Sequence, residues 1–270
     1  MTKEEFLSFL GSETPTINDD LRNTKVLNVN IENVTDPITG DFNWAEHGIL
    51  TPIKDQSDCS SGWAFSAVET IESAWAMNGN KLEIFSTQNL ISCDKSDGGC
   101  NGGLPSSAFD FVVDQGGICK DNVYPYTSQN GISGQCIHPL PVLSGGTIKS
   151  WAFAQPTCLG ELTPCVENTN ALIAALQTYG PISIGVDGSS WNSYTGGVMT
   201  NKSCSSNPRK MNHAAQLVGY NANGDFPDFK PYWIVRNAWS KNWGENGYIF
   251  LEMGNNSCGM ANLAAVITEV

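Results

Sequence analysis

The stretch best suited to chemistry is Gln56–Ser66, where a polar run changes directly into an apolar one. From Gly62 onward, apolar residues return every three or four positions, which predicts an amphipathic helix that stops near Asn78. Ser60 or Ser61 is expected to cap its first turn. The backbone N–H groups and the dipole at a helix N-terminus favour negative charge, so this is a suitable place for a thiolate or an oxyanion.

The rest of the sequence must position this stretch, and its patterns predict a helical first half and a strand-rich second half. Further helical patterns cover Ser86–Ile91 and Ser106–Val113. After about residue 147, short apolar runs alternate with Gly, Asn, Asp and Pro clusters, as strands do. This order predicts an α+β fold with two subdomains. We expect a leader at 1–40, a helical subdomain at 41–148 and a strand-rich subdomain at 149–270 with a C-terminal tail free to cross back.

The central stretch reads Gln-Ser-Asp-Cys-Ser-Ser-Gly-Trp-Ala-Phe-Ser. It closely resembles the nucleophile segment of papain-like cysteine proteases, the family of papain and cathepsin L, which reads Gln-Gly-x-Cys-Gly-x-Cys-Trp-Ala-Phe-Ser. The resemblance places Gln56 on the oxyanion-hole glutamine, Cys59 on a disulfide cysteine and Gly62 on the nucleophile. It implies the papain-like fold, with a helical left subdomain, a β-barrel-like right subdomain and the active-site cleft between them.

Two further motifs match the family in the expected order. His213 lies roughly 150 positions after Gly62, close to the spacing typical of such enzymes. The resemblance makes His213 the base and Asn237 the residue that orients it, with Trp239 shielding their hydrogen bond from water. It also assigns oxyanion stabilisation to Gln56 and to the backbone N–H of Gly62.

Glycine at position 62 has no side chain and cannot attack a peptide bond, so the chain as written is expected to be inactive. Two histories explain this residue. The interpretation we favour is that a native cysteine was replaced to stop self-processing of a precursor, because His213, Asn237 and Gln56 are intact and a leader is retained. The alternative is a natural pseudoprotease that keeps the cleft for binding peptides or inhibitors.

The resemblance also implies a binding cleft for an extended peptide. The backbone at Gly102–Gly103 would pair with the peptide as an added strand. The expected pocket for the second residue upstream of the cut is apolar, which favours Leu, Val or Phe and disfavours Arg. The residues assigned to it are Leu104, Pro105, Gly185, Met211 and Leu263. Protein or peptide substrates and cystatin-type inhibitors are the expected partners of a monomer.

Nine cysteines point to an oxidising compartment. The resemblance implies the pairs Cys59–Cys100, Cys93–Cys136 and Cys204–Cys258. Cys158 and Cys165 are close enough to bridge a loop that looks like an insertion, which would leave Cys119 as an odd thiol. Cys93 and Cys100 could instead bind a metal, but no Cys-x-x-Cys pairs are present, so neither a metal nor a cofactor is expected.

Composition narrows the remaining possibilities. The net charge of −13 disfavours nucleic acid and anionic membranes as partners. No run of about 18 apolar residues is present, and the N-terminus does not read as a secretory signal. The cysteines still favour a secreted or lysosomal/vacuolar protein, and Asn33, Asn201 and Asn255 begin possible glycosylation motifs. A short helix from Thr2 resembles the end of an inhibitory propeptide, although a disordered leader is the plainer alternative.

Overall fold

The computed structural model of the protein describes residues 10, 25–28, 40–137, 145–159, 161–225 and 230–270. The helix expected from Thr2 lies outside these residues. Within them, the four α-helices are α1 (Gly62–Met77), α2 (Thr87–Cys93), α3 (Pro105–Gln115) and α4 (Thr169–Tyr179). Single 3-10 turns occur at Trp44–Glu46, Gly99–Asn101, Trp191–Ser193, Pro208–Lys210 and Ser257–Gly259. None of the described helices is long and apolar enough to cross a membrane.

Helix α1 begins and ends where the sequence predicts. Its C-cap is Asn78, and Gly79 follows with φ +85°, a left-handed conformation that glycine adopts without strain. The predicted serine cap is wrong. Ser61 stands at the N-cap position, but its hydroxyl donates to the carbonyl of Cys59 at 3.3 Å and accepts no hydrogen bond from the helix.

The eight described strands form one sheet. They are β1 (Asp41–Asn43), β2 (Ser150–Phe153), β3 (Ile182–Val186), β4 (Val198–Met199), β5 (His213–Asn221), β6 (Tyr232–Arg236), β7 (Tyr248–Glu252) and β8 (Ala264–Glu269). Their order is β2-β8-β3-β5-β6-β7-β4, and β1 also pairs with β5. Only the pairing of β4 with β7 is parallel among these strands. The predicted α+β class is therefore confirmed.

Helix α1 belongs to the first of two hydrophobic cores. One core combines α1, α2 and α3 with aromatic residues of β2, including Trp151 and Phe153. The other combines α4 with β3, β5, β6 and β7 around Trp191 and Trp233. Because α1 packs on both α3 and β5, its N-terminus is fixed against the first residue of β5, which is His213.

Several elements were missed by the sequence analysis. The largest is α4, which stands in a region interpreted as strand-rich. Its signals were present: the Asn168 side chain accepts a hydrogen bond from the Ala171 N–H at 3.1 Å, and Gly180 ends the helix with φ +95°. Strands β1, β2 and β4 were also missed, because they are only two to four residues long. The expected boundary between residues 148 and 149 stays a prediction.

Candidate functional site

Gly62 and His213 face each other at the centre of the site. Gly62 is the first residue of α1 and His213 is the first residue of β5. A Cβ placed on Gly62 would lie 2.5 Å from both Nδ1 and Cε1 of His213 and 3.1 Å from the carbonyl oxygen of Ala214. Position 62 therefore lies within side-chain reach of the His213 imidazole.

Asn237 holds the opposite edge of the imidazole. Its Oδ1 lies 2.8 Å from His213 Nε2 and also accepts a hydrogen bond from the Ala238 N–H at 2.9 Å. Because that atom is fixed as an acceptor by the backbone donor, Nε2 carries the ring proton and Nδ1 presents its lone pair towards Gly62. The structure thus defines both the orientation and the tautomer of the ring.

The imidazole of His213 has little access to solvent. The imidazole is buried, and the ring of Trp239 lies over it with centroids 4.7 Å apart. Burial lowers the pKa of His213 to about 4, although the hydrogen bond to Asn237 acts in the opposite direction. At neutral pH the ring is therefore neutral and able to accept a proton at Nδ1.

Gln56 stands behind this pair rather than in the open cleft. It is fully buried, its Nε2 donates to the carbonyl of Cys59 at 2.8 Å, and its Oε1 accepts from the indole N–H of Trp239 at 3.0 Å. Its backbone carbonyl accepts a short hydrogen bond from Tyr126 Oη. Gln56 therefore joins the loop before α1 to the segment after Asn237.

A pocket beside Gly62 collects most of the residues predicted to bind substrate; we call it the cleft pocket. Seven of them line it, namely Gly102, Gly103, Leu104, Pro105, Gly185, Met211 and Leu263. Trp239 and Gln56 are not part of this lining. Gly62 and His213 also line it, and five residues that were not predicted complete the lining, namely Ser60, Trp63, Leu159, Asn212 and Ala214. No Asp, Glu, Lys or Arg stands among the described residues that line the cleft pocket.

Side chains pack closely against two glycines in this pocket. A Cβ on Gly185 would meet Met211 Cε, so Met211 crosses the space that a larger residue would fill. A Cβ on Gly103 would meet Asp97 Oδ1 at 2.6 Å and Trp63 Cδ2 at 2.7 Å. The missing side chains therefore allow the pocket walls to close in on each other.

Asp97 supports the loop that carries Gly102–Gly103. Its Oδ1 accepts from the Leu104 N–H at 2.8 Å and its Oδ2 accepts from the Ser107 hydroxyl at 2.7 Å. The pKa of Asp97 is raised to about 7, mainly by burial and also by the neighbouring Asp94, while the Ser107 and Leu104 hydrogen bonds act to lower it. A half-buried carboxyl group with a raised pKa thus lies against Gly103 of the cleft pocket.

A buried ion pair lies behind Asn237. Arg236 Nη2 is 3.2 Å from Glu69 Oε1, and both side chains are almost completely buried. The same nitrogen donates to the carbonyls of Thr51 and Pro52, each at 2.8 Å. The residue that precedes Asn237 therefore ties β6 to α1 and to the loop that leads into α1.

The predicted disulfides Cys59–Cys100, Cys93–Cys136 and Cys204–Cys258 are all present in the structure. Cys158 and Cys165 are also bonded, and Cys119 is buried and takes part in none of the four disulfides. Among the described residues, no group of three or more His, Cys, Asp or Glu side chains could hold a metal ion.

Two pieces of the leader contact the folded body. Leu10 is buried, and its Cδ2 lies 3.3 Å from the Cβ position of Gly188, with His213 Cβ 3.2 Å from that same position. Residues 25–28 lie beside β2, where the Leu27 N–H donates to the Phe153 carbonyl at 2.8 Å. The first piece therefore lies close to His213.

Comparison with known proteins agrees with this geometry. The sequence model described as "Papain family cysteine protease" matches residues 38–268. That match covers most of the chain, so the protein belongs to the papain family of cysteine proteases. The papain-like fold expected from the sequence is confirmed by solved structures of the same fold. The structure of digestive procathepsin L2 proteinase from Tenebrio molitor larval midgut superposes with a TM-score of 0.80 at 30% sequence identity, covering 99% of this chain and 81% of that one.

Similar sequences include proteins from distant organisms. A "Cysteine proteinase" of Trypanosoma brucei brucei is 40% identical over 80% of this chain and 44% of its own length. "Cathepsin O" of Homo sapiens is 34% identical over 89% of this chain and 69% of its own length. The chain spans less than half of the trypanosome relative and 45% of "Cysteine proteinase B" of Leishmania mexicana.

Proposed function

We propose that this chain is an inactive papain-like cysteine endopeptidase precursor in which Gly62 occupies the nucleophile position. One observation carries the proposal: Gly62 leads α1 with Nδ1 of His213 facing it, while Asn237 holds Nε2 from the other side. A nucleophilic side chain at position 62 is what the proposed arrangement of Gly62, His213 and Asn237 does not supply.

With cysteine at position 62, each remaining group has a definite task. His213 Nδ1 takes the thiol proton, and the thiolate sulfur attacks the carbonyl carbon of the peptide bond. The oxyanion forms beside the N-terminus of α1, where the backbone N–H of residue 62 would stabilise it. The Gln56 side chain, whose Nε2 donates to the Cys59 carbonyl in the glycine form, would have to turn towards the cleft to act as the second donor. His213 then gives its proton to the leaving amine, and water attacks the acyl-enzyme with His213 again acting as base. Asn237 keeps the ring in the required tautomer throughout.

The cleft pocket indicates the class of substrate. An extended peptide would pair with the Gly102–Gly103 backbone and place an apolar side chain, the second upstream of the cut, between Met211 and Leu263. The described lining carries no charged side chain. Arg in the pocket would leave its charge unpaired, which is costly in an apolar site.

The test is to introduce Gly62→Cys, remove the leader and assay dipeptidyl fluorogenic substrates under mild reduction. We expect turnover with Leu or Val at the second position and much weaker turnover with Arg. Gly62→Ala is the matched control and should give none. Adding His213→Ala to Gly62→Cys should lower kcat by at least about 10³-fold. A folded Gly62→Cys protein without turnover would exclude the endopeptidase proposal.

A second candidate function, peptide or inhibitor binding without catalysis, is favoured by one observation. The imidazole of His213 lies so close to Gly62 that a Cβ would stand only 2.5 Å from it, and real Cβ atoms do not pack at that distance. The cleft is thus fitted to glycine as it stands. The genomic codon at position 62 separates the two: a cysteine codon supports a replaced nucleophile, and a glycine codon supports a natural pseudoprotease. Affinity for cystatin-type inhibitors would not separate them, because an empty cleft serves both.

The leader fits the role of an inhibitory segment. Leu10 is buried next to His213 and Gly188, and the segment 25–28 is anchored to β2, where Lys25 Nζ also lies 2.7 Å from Asp110 Oδ1. Leu10→Asp in the full chain should release the contact near His213 and raise peptide affinity. A variant that binds peptides no better than the parent chain would argue against inhibition by the leader.

We also propose that the protein is a secreted or lysosomal/vacuolar monomer, a location supported by four disulfides within the described residues. Of its possible glycosylation sites, Asn201 and Asn255 are exposed, and Asn33 lies outside the described residues. Mass spectrometry of the native material before and after glycosidase treatment tests occupancy.

A further inference from the structure

Leu159 lines the cleft pocket although nothing in the sequence patterns assigned it there. It is 1% exposed, belongs to the same hydrophobic cluster as Met211 and Leu263, and lines the same cavity. It comes from the connection between β2 and α4, which is far from the cleft motifs in sequence. The pocket therefore has an apolar wall supplied by a separate loop.

The loop that carries Leu159 is closed by a covalent bond. The disulfide Cys158–Cys165 spans a sequence separation of only 7 residues. The Cys165 N–H donates to Asn262 Oδ1 at 2.9 Å, and the Cys158 N–H donates to the Asn262 carbonyl at 2.9 Å. Both ends of the loop are thus attached to one residue of the strand-rich half.

That residue, Asn262, directly precedes Leu263 in the chain. Asn262 is fully buried, and its carbonyl also accepts from Thr157 Oγ1 at 2.6 Å. Thr157 Oγ1 in turn lies 3.3 Å from the Leu159 N–H. The positions of Leu159 and Leu263 are therefore linked through Asn262 and Thr157, so the two leucines act as one wall.

The walls of the cleft pocket stand close together beside Gly185. A Cβ on Gly185 would meet Met211 Cε and would lie 3.4 Å from Leu263 Cβ. With Leu159 buried in the same wall, the seven-carbon side chain of Phe needs more of this space than that of Val or Leu. The described lining includes no charged side chain that could bind a polar group instead.

We propose that Leu159 is a specificity-determining residue: together with Leu263 it closes the inner end of the cleft pocket, so that the cleft selects branched aliphatic side chains over aromatic ones. This inference rests on the proposed peptide-binding function of the cleft. It adds that the disulfide-closed loop, and not only the family motifs, sets the depth of the pocket.

The test measures peptide binding by calorimetry in the full chain carrying Leu10→Asp, where Gly62 prevents cleavage of the peptide. The probes are acetylated tripeptide amides that differ only in Val, Leu or Phe at the middle position. The starting protein should bind the Val and Leu peptides about 10-fold more tightly than the Phe peptide. Leu159→Ala should shift that ratio about 10-fold towards Phe. Leu162→Ala is the matched control, because Leu162 is in the same loop but 72% exposed, and it should leave the ratio unchanged.

Two further variants keep the test decisive. Leu159→Val removes one methylene and should shift the preference towards the Phe peptide by a smaller factor. This variant replaces Leu159→Ala in the test if Leu159→Ala does not fold. Cys158→Ser with Cys165→Ser frees the loop and should also relax the preference. Equal weakening of all peptides by Leu159→Ala, or an unchanged ratio, would overturn this inference alone. Failure of the starting protein to bind any of the peptides would overturn the proposed cleft function together with it.

Discussion

The imidazole of His213 lies where the side chain of residue 62 would begin. A Cβ on Gly62 would be 2.5 Å from Nδ1 and Cε1 of the ring, which is closer than packed atoms approach. The opposite edge is held by Asn237 at 2.8 Å. The ring is thus fixed between a hydrogen bond on one side and a glycine on the other, and any larger residue at position 62 must displace it.

Gly62→Ala should raise the pKa of His213. The added methyl group overlaps the ring, so the imidazole must move out of a site where burial holds its pKa at about 4. We expect the pKa to rise towards the ordinary value of about 6.5, measured from the NMR shifts of the ring C–H groups against pH. Overpacking at this point should also cost about 1–3 kcal/mol of unfolding free energy. An unchanged pKa would show that the ring stays in place.

His213 should make the fold less stable as the pH falls from about 6.5 to 4. In this window the unfolded chain binds a proton that the folded chain does not, because burial lowers the folded-state pKa to about 4. The stabilisation is complete above about pH 6.5 and is lost as the pH falls through the folded-state value. His213→Gln should reduce the difference in unfolding free energy between pH 7 and pH 5 by about 2 kcal/mol, measured by urea titration. An equal pH dependence in both proteins would contradict the shifted pKa.

Asp97 should make the fold less stable as the pH rises, which is opposite to the effect of His213. Burial raises its pKa to about 7, so between the unfolded-state value and pH 7 the folded chain keeps a proton that the unfolded chain has lost. Its contribution therefore declines as the pH rises through this window. Asp97→Asn should make the gain in stability between pH 5 and pH 7 larger than in the parent, because the opposing effect is removed. Asp114→Asn, at an exposed position of α3, is a suitable control.

Breaking the buried ion pair should be costly. Arg236→Met leaves the carboxylate of Glu69 buried without its partner, at a cost of about 3–5 kcal/mol in urea unfolding. Adding Glu69→Gln should recover part of this loss, because burial already raises the pKa of Glu69. Lys149→Ala removes the exposed pair with Glu269 and should cost no more than about 1 kcal/mol. If breaking the buried pair and breaking the exposed pair lowered the unfolding free energy by similar amounts, the Arg236–Glu69 pair would not be desolvated.

Cys119 should resist thiol reagents until the chain unfolds. It is fully buried, and burial raises the pKa of its thiol. With an alkylating reagent and no reductant, mass spectrometry should detect no modification of the folded chain and one modified cysteine after unfolding in guanidinium. Fast modification of the native protein would contradict the burial. Two or more modified cysteines after unfolding would contradict the four disulfides.

The parts of the fold predicted correctly are those with strong local signals. The apolar period and the Asn78 stop defined α1, and the flanks of His213 and Asn237 were long enough to align. Helix α4 was missed because its alanine-rich run was interpreted in a strand-rich context, despite the cap at Asn168. Local patterns thus identified the elements that carry the family motifs. They were less successful for elements such as α4, which pack against the motif-bearing elements.

The depth of the cleft pocket was beyond sequence reasoning for a different reason. Leu159 reaches the pocket only because Asn262 binds both ends of a disulfide-closed loop. No periodicity encodes that contact, since it depends on the packing of side chains distant in sequence. The burial of Gln56 was equally invisible, because a motif specifies a residue type and not its solvent exposure.

The hydrogen bonds of Gln56 and Asn237 give a structural reason why both residues are retained beside Gly62. Gln56 and Asn237 are fully buried and bonded to Cys59, Trp239 and Ala238. Replacing either would leave buried groups unsatisfied at about 1–3 kcal/mol each. Purifying selection for folding alone would therefore preserve both residues for many generations after the loss of a nucleophile. The presence of Gln56 and Asn237 is therefore what fold stability alone requires.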